Sequence, residues 1–137
     1  MEVYRSHYQE IVFDEERNML KQVYFPESRG FNKEIFKKDH LAINDAVKKN
    51  LGKNGGMRLL VDMRDLDFTI DPELQGWHNT NVLPVVHEVG VTQMAIVVSP
   101  NIFTEISVQQ TIEDNKNSPI TFDYFTTEEA ALDWLFN

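Results

Sequence analysis

Residues 57–77, MRLLVDMRDLDFTIDPELQGW, decide the fold. The apolar run RLLVDM at 58–63 reads as a buried strand, RDLDFTI as an acidic turn, and Asp71-Pro72 as the start of a helix. Aspartate accepts hydrogen bonds from the free N–H groups of a first helical turn, and proline at the first helical position loses no partner. A strand handed to a helix in this way is the building unit of a parallel sheet, in which ligands and switch residues collect at the strand-to-helix turns. The candidate ligand- or partner-binding residues are therefore Asp62, Arg64, Asp67, Phe68, Asp71 and Trp77, with Ser99 at the end of the next strand.

That next strand, VTQMAIVVS at 91–99, is purer still. Ala95, Ile96, Val97 and Val98 do not alternate with polar residues, so both faces should be covered, as in a central parallel strand. The helix between the two strands has Leu74, Trp77 or His78, Asn81 or Val82, Val85 and Val89 on its inner face. Pro84 leaves the Thr80 carbonyl without its helical donor, which predicts a kink, and Gly90 ends the helix.

Towards the amino terminus, residues 8–13 and 19–25 are rich in aromatic and branched side chains and flank the polar DEERN, which predicts an antiparallel pair. Asn32 is the expected N-cap of a first helix reaching about residue 49, with Phe36, Ile43, Val47 and Leu51 as its buried stripe and LGKNGG as its stop. His40 falls on that stripe and reads as a buried, hydrogen-bonded histidine, since no ligand-type residue stands four positions away. Towards the carboxyl terminus, a third helix is expected from Pro100-Asn101, with Ser99 as its cap and Ile102, Phe103, Ile106 and Ile112 inward. ITFDYF makes the last strand, and Thr126 with Glu129 a capping box for a helix buried through Ala130, Ala131, Trp134 and Leu135. The expected architecture is one α/β domain over 1–137, ordered ββαβαβαβα. Its mixed five-stranded sheet is an antiparallel hairpin followed by parallel strands, with four helices.

Composition narrows the function. With 42% hydrophobic residues in a chain of 137, a real core can form. Thirteen basic against 22 acidic side chains give a formal charge of -9, which disfavours nucleic acid and anionic membrane as partners. No stretch is apolar and long enough for a signal peptide or a bilayer span, so a cytoplasmic location is expected. The absence of cysteine removes disulfides, thiolate metal sites and cysteine nucleophiles.

The order of elements, the LLVDMRDL strand, the DPELQGW helix start, the GVTQMAIVVS strand and the closing YFTTEEAALDWL resemble the bacterial STAS-like, SpoIIAA-like domains, relatives of the anti-anti-sigma factors. The resemblance spans residues 8–136 and is nearest a small single-domain branch without assigned activity. It implies a signalling module that binds a partner protein, in regulatory members a kinase, under control of a phosphorylated serine at the start of the second helix. That motif is an aspartate, two small hydroxyl residues and a glycine; here Asp71 is followed by Pro72, Glu73 and Leu74, so the aspartate is kept and the phosphoacceptor is not. Thr69 is the nearest hydroxyl.

Asp62, Asp65, Asp67 and Asp71 oppose an anionic ligand at this helix start and would suit Mg²⁺; against that stands a structural reading in which Asp71 caps, Asp67 turns the chain and Asp62 pairs with Arg58 or Arg64. Catalysis finds no footing. His7, His40, His78 and His87 lack zinc-site spacing, no GxSxG surrounds Ser99, and no glycine-rich phosphate loop occurs. Neither enzyme activity, a metal nor a cofactor is expected. The leading expectation is a non-catalytic regulatory or protein-interaction domain that binds a partner or a second copy of itself, through the second helix and its acidic turn. The alternative is a small apolar or amphipathic ligand between helices and sheet, in a cleft lined by Phe68, Trp77, Phe103 and Phe125, as in lipid-carrier domains of similar architecture.

Overall fold

The computed structural model describes residues 1–98 and 119–137. Its centre is a six-stranded mixed sheet in which the strands lie side by side in chain order: β1 (Glu2–Arg5), β2 (Gln9–Asp14), β3 (Met19–Tyr24), β4 (Met57–Asp62), β5 (Val91–Val97) and β6 (Thr121–Phe125). β1, β2 and β3 pair antiparallel, and β3 to β6 run parallel. The expected hairpin and parallel strands are present; β1 is a sixth strand where five were expected. Its four residues bury only Val3, too little alternation to read locally. It is held instead by its ladder to β2 and by the N-terminal ammonium, which donates to the Phe13 carbonyl at 2.9 Å.

The helices are α1 (Lys33–Leu51), α2 (Pro72–Asn81), α3 (Leu83–Glu88) and α4 (Glu128–Phe136), and a 3-10 turn occupies Pro26–Gly30. Asn32 and Asp71 cap α1 and α2 as expected, accepting from the Ile35 and Leu74 N–H groups at 2.8 and 2.9 Å. The helix expected across 72–89 is two helices, broken at Val82, because Pro84 has no N–H to continue the ladder. The final helix starts one residue later than the expected box: its cap is Thr127, accepting from Ala130 N–H at 3.2 Å, and Ala130 is exposed while Ala131 and Leu135 are buried. The third expected helix, with Ser99 and Phe103, lies outside the described residues.

Each parallel step moves the same way across the sheet, so right-handed crossovers put α1, α2 and α3 on one face. There they cover Leu59 and Val61 of β4 and Met94 and Ile96 of β5. The alternate residues Leu60, Ala95 and Val97 point to the other face, beneath Ala131 and Leu135 of α4. With both sides covered, Ala95, Ile96 and Val97 are fully buried, as their unbroken apolar run predicts. Gly90 takes φ 114°, and a Cβ there would overlap the Asn54 carbonyl, so glycine alone lets the chain pass from α3 into β5. Among the described residues no helix is long and apolar enough to cross a membrane.

Candidate functional site

Between α1, α2 and α3 and the sheet lies a cavity of about 80 Å³. Its walls are mainly aliphatic, with Ile43 and Val47 from α1, Leu59 and Val61 from β4, and Val82 and Val86 around α3. Gln22, Tyr24, His40, Asn44 and His78 add polar groups to the lining. Helical spacing brings His40, Ile43, Asn44 and Val47 to one stripe, and the strand period of two brings Gln22 and Tyr24 to one side of β3.

The polar part is a directed network. The Phe36 carbonyl can only accept, so His40 Nδ1 carries the proton and donates to it at 2.8 Å. His40 Nε2 is then an acceptor, and the Tyr24 hydroxyl donates to it at 2.9 Å. Gln22 Nε2 donates to the Tyr24 oxygen at 3.2 Å and to Gln9 Oε1 at 2.7 Å, and Gln9 Nε2 donates to Asp39 at 2.8 Å. The buried Asp39 carboxylate also accepts from the Tyr4 and Ser6 hydroxyls, at 2.5 and 3.1 Å. The chain of bonds thus runs from a carboxylate on α1, through β2 and β3, back to the preceding turn of α1.

Burial pushes His40 down to about 4, against the Phe36 carbonyl and the Asp39 charge. His78, on α2, sits edge-on to His40 with ring centroids 5.8 Å apart. Burial and then the neighbouring His40 push it down to about 3. His78 as a residue is partly exposed, yet its Nδ1 is shielded from solvent and has no hydrogen-bond partner. Burial and the Asp39 charge raise the Tyr24 phenol, so it stays protonated. The cavity therefore presents neutral polar groups in an apolar wall at ordinary pH.

The residues singled out in the sequence are distributed differently. Asp62 and Arg64 pair closely: Arg64 donates to Asp62 from its backbone N at 3.1 Å, from Nε at 3.0 Å and from its terminal guanidinium nitrogen at 2.7 Å. Burial opposes ionisation of Asp62, but these bonds and the Arg64 charge outweigh it and hold the carboxyl below its usual range. Asp62 has the parity of Leu60 and faces the α4 side, where Lys21 pairs with Glu128. Asp71 is tied instead to α1, by Lys33 at 2.9 Å. Lys33 also pairs with Glu73 at 2.8 Å. The acidic turn is thus split between the two faces of the sheet, and Asp67 is exposed, its N–H donating to Ser28 Oγ at 2.9 Å. Arg58 stands at the opposite end of β4, donating to the Leu135 carbonyl at 2.6 Å and lying over Phe136, so it is no partner of this turn. Among the described residues no three histidine or acidic side chains converge to hold a metal ion.

Phe68 and Trp77 pack against Phe36, with centroids 5.7 and 6.3 Å away, on the outer side of the core rather than in the cavity. Phe125 lies against Trp134 on the α4 face. The cavity-lining Tyr24, Gln22, Asn44 and His78 were not singled out as site residues. Helical spacing allows either Trp77 or His78 on the inner face of α2, and nothing local pairs His78 with His40.

Comparison with protein-family models, with curated proteins and with solved structures finds no match.

Proposed function

We propose that this chain is a non-catalytic binding domain of STAS-like type, whose α1–α3 face takes up a small, largely apolar molecule. The observation that supports the reading is the cavity itself, walled by aliphatic side chains and bordered by uncharged polar groups. Sites for small molecules have this composition: an apolar lining with a few placed hydrogen-bonding groups. A regulatory role follows from α2. It contributes His78 to the lining while its first turn, Asp71 to Glu73, is held on the surface by Lys33, so occupancy can bear on the surface that the resemblance assigns to a protein partner or a second copy. Pro72 in place of a hydroxyl residue makes ligand rather than phosphate the input. Action in the cytoplasm belongs to the same proposal.

The test is a methyl-detected NMR titration with cyclopentane, alongside native mass spectrometry of protein purified without denaturation. Methyl signals of Ile43, Val61 and Val86 should shift while those of Val97 and Leu135, across the sheet, stay in place. Unmoved methyls on the α1–α3 face, with no retained mass, would refute the reading.

A further inference from the structure

We infer that Asn54 is a site of spontaneous covalent modification: its side chain closes onto the Gly55 nitrogen and reopens as an isoaspartate, which unlocks the turn between α3 and β5. The inference is independent of the cavity. The reaction requires a free carboxamide, an unhindered following nitrogen and water. Glycine meets the second requirement best, because it carries no side chain. Residues 54 and 55 are the one Asn-Gly pair in the sequence. Among the described residues the Asn54 carboxamide makes no hydrogen bond, and neither does the Gly55 N–H. By contrast, Asn18, Asn32, Asn44, Asn50 and Asn81 all hold bonds through their side chains. Asn54 is half-buried, and Gly55 is exposed, with no atom within 4 Å of where a Cβ would stand.

The step balances without a co-reactant other than water. The Gly55 nitrogen gives its proton to hydroxide and bonds to Asn54 Cγ, the bond from Cγ to Nδ2 breaks, and Nδ2 leaves as ammonia with protons drawn from water. Water then opens the five-membered imide. Cleavage between the nitrogen and Cγ leaves aspartate, whereas cleavage at the main-chain carbonyl leaves isoaspartate. In the second product the main chain runs through Cβ and Cγ, and the former main-chain carbonyl becomes a carboxylate.

That carbonyl stands where the fold has no room to spare. A Cβ added at Gly90 would come within 2.2 Å of its oxygen. The same junction is clamped by Asn54 N–H on the Val89 carbonyl at 2.7 Å and Met57 N–H on the Gly90 carbonyl at 2.9 Å. A second carboxylate oxygen and a longer main chain cannot both fit, so the contact with Gly90 opens and these bonds weaken.

The experiment incubates the folded protein, and the same protein unfolded in urea, in mildly alkaline buffer. Peptide mapping and labelling by an isoaspartyl methyltransferase then follow residue 54. The folded chain should form isoaspartate there at no less than about a tenth of the unfolded rate. A slower reaction would mean that the fold protects Asn54, and the inference fails. Gly55→Ala, which meets no neighbour and no positive φ, should slow the reaction about tenfold by crowding the attacking nitrogen. An unchanged rate in that variant would overturn the assigned chemistry. Finally, the chromatographically resolved isoaspartyl protein should unfold at lower urea than Asn54→Asp, which carries the same charge on an ordinary main chain, and its Met57 amide should exchange faster with solvent. Equal midpoints and equal exchange would overturn the unlocking of the turn.

Discussion

The imidazoles of His40 and His78 meet edge to face, 5.8 Å between centroids, although one belongs to α1 and the other to α2. Burial makes protonating either ring inside the fold unfavourable, and at His78 the neighbouring His40 adds to the effect. Stability should consequently depend on pH in a specific direction. An unfolded histidine titrates near 6.5, whereas the folded values are about 4 for His40 and about 3 for His78. Above the unfolded value both states are neutral and the histidines have no pH effect. As pH falls below it, only the unfolded chain takes up protons, and stability declines until the folded values are reached. Each histidine can remove up to about 1.4 kcal/mol per pH unit in that window. Urea midpoints should drop steadily from pH 7 to pH 4, and the slope should lessen in His78→Phe. A flat profile over that range would contradict the burial of both rings.

Asp39 is the anchor of the polar network, with Tyr4, Ser6 and Gln9 all donating to it. Removing the carboxylate strands three donors at once. Asp39→Ala should lower unfolding free energy by about 2–4 kcal/mol, and Tyr4→Phe by only about 1 kcal/mol, since it deletes one bond. Burial and the bond to Asp39 raise the Tyr4 phenol to about 12, so Asp39→Ala should also bring its spectroscopic titration down.

Gly90 and Gly76 make a controlled pair. At Gly90 the positive φ and the Asn54 carbonyl leave no room for a methyl, and the turn is locked by Asn54 N–H on the Val89 carbonyl and Met57 N–H on the Gly90 carbonyl. Gly90→Ala should destabilise by more than about 2 kcal/mol. Gly76 lies inside α2 with open space around its Cα, so Gly76→Ala should stabilise by about 0.5–1 kcal/mol. Chemical denaturation of the two variants reads both signs.

Divalent cations should leave the melting temperature unchanged. Asp62 is occupied by Arg64 and Asp71 by Lys33 and the Leu74 N–H, on different faces of the sheet. Millimolar Mg²⁺ producing a rise of several degrees would show that these carboxylates converge after all. Arg64→Met should weaken the fold and shift Asp62 upward, because its burial is then opposed by the Lys21 charge alone.

Much of the architecture could be read from local pattern. The run Ala95, Ile96, Val97 announced a strand covered on both faces, and Asn32 and Asp71 announced the helix starts they cap. These features depend on residues within one or two turns of each other, where period and capping chemistry act directly. Even so, small competitions escaped: Thr127 rather than Thr126 caps α4, and the kink at Pro84 became a full break.

The site was a different matter. Chain order alone put a histidine on the stripe of α1, left Trp77 or His78 for the inner side of the next helix, and marked an acidic turn. Only the tertiary structure determined that the two histidines share a cavity, that Tyr24 and Gln22 link one of them to Asp39, and that Asp62 and Asp71 lie on opposite faces of the sheet. The reason is geometric: periodicity tells which way a side chain points along its own element, whereas its neighbour depends on how far each crossover carries the next element across the sheet.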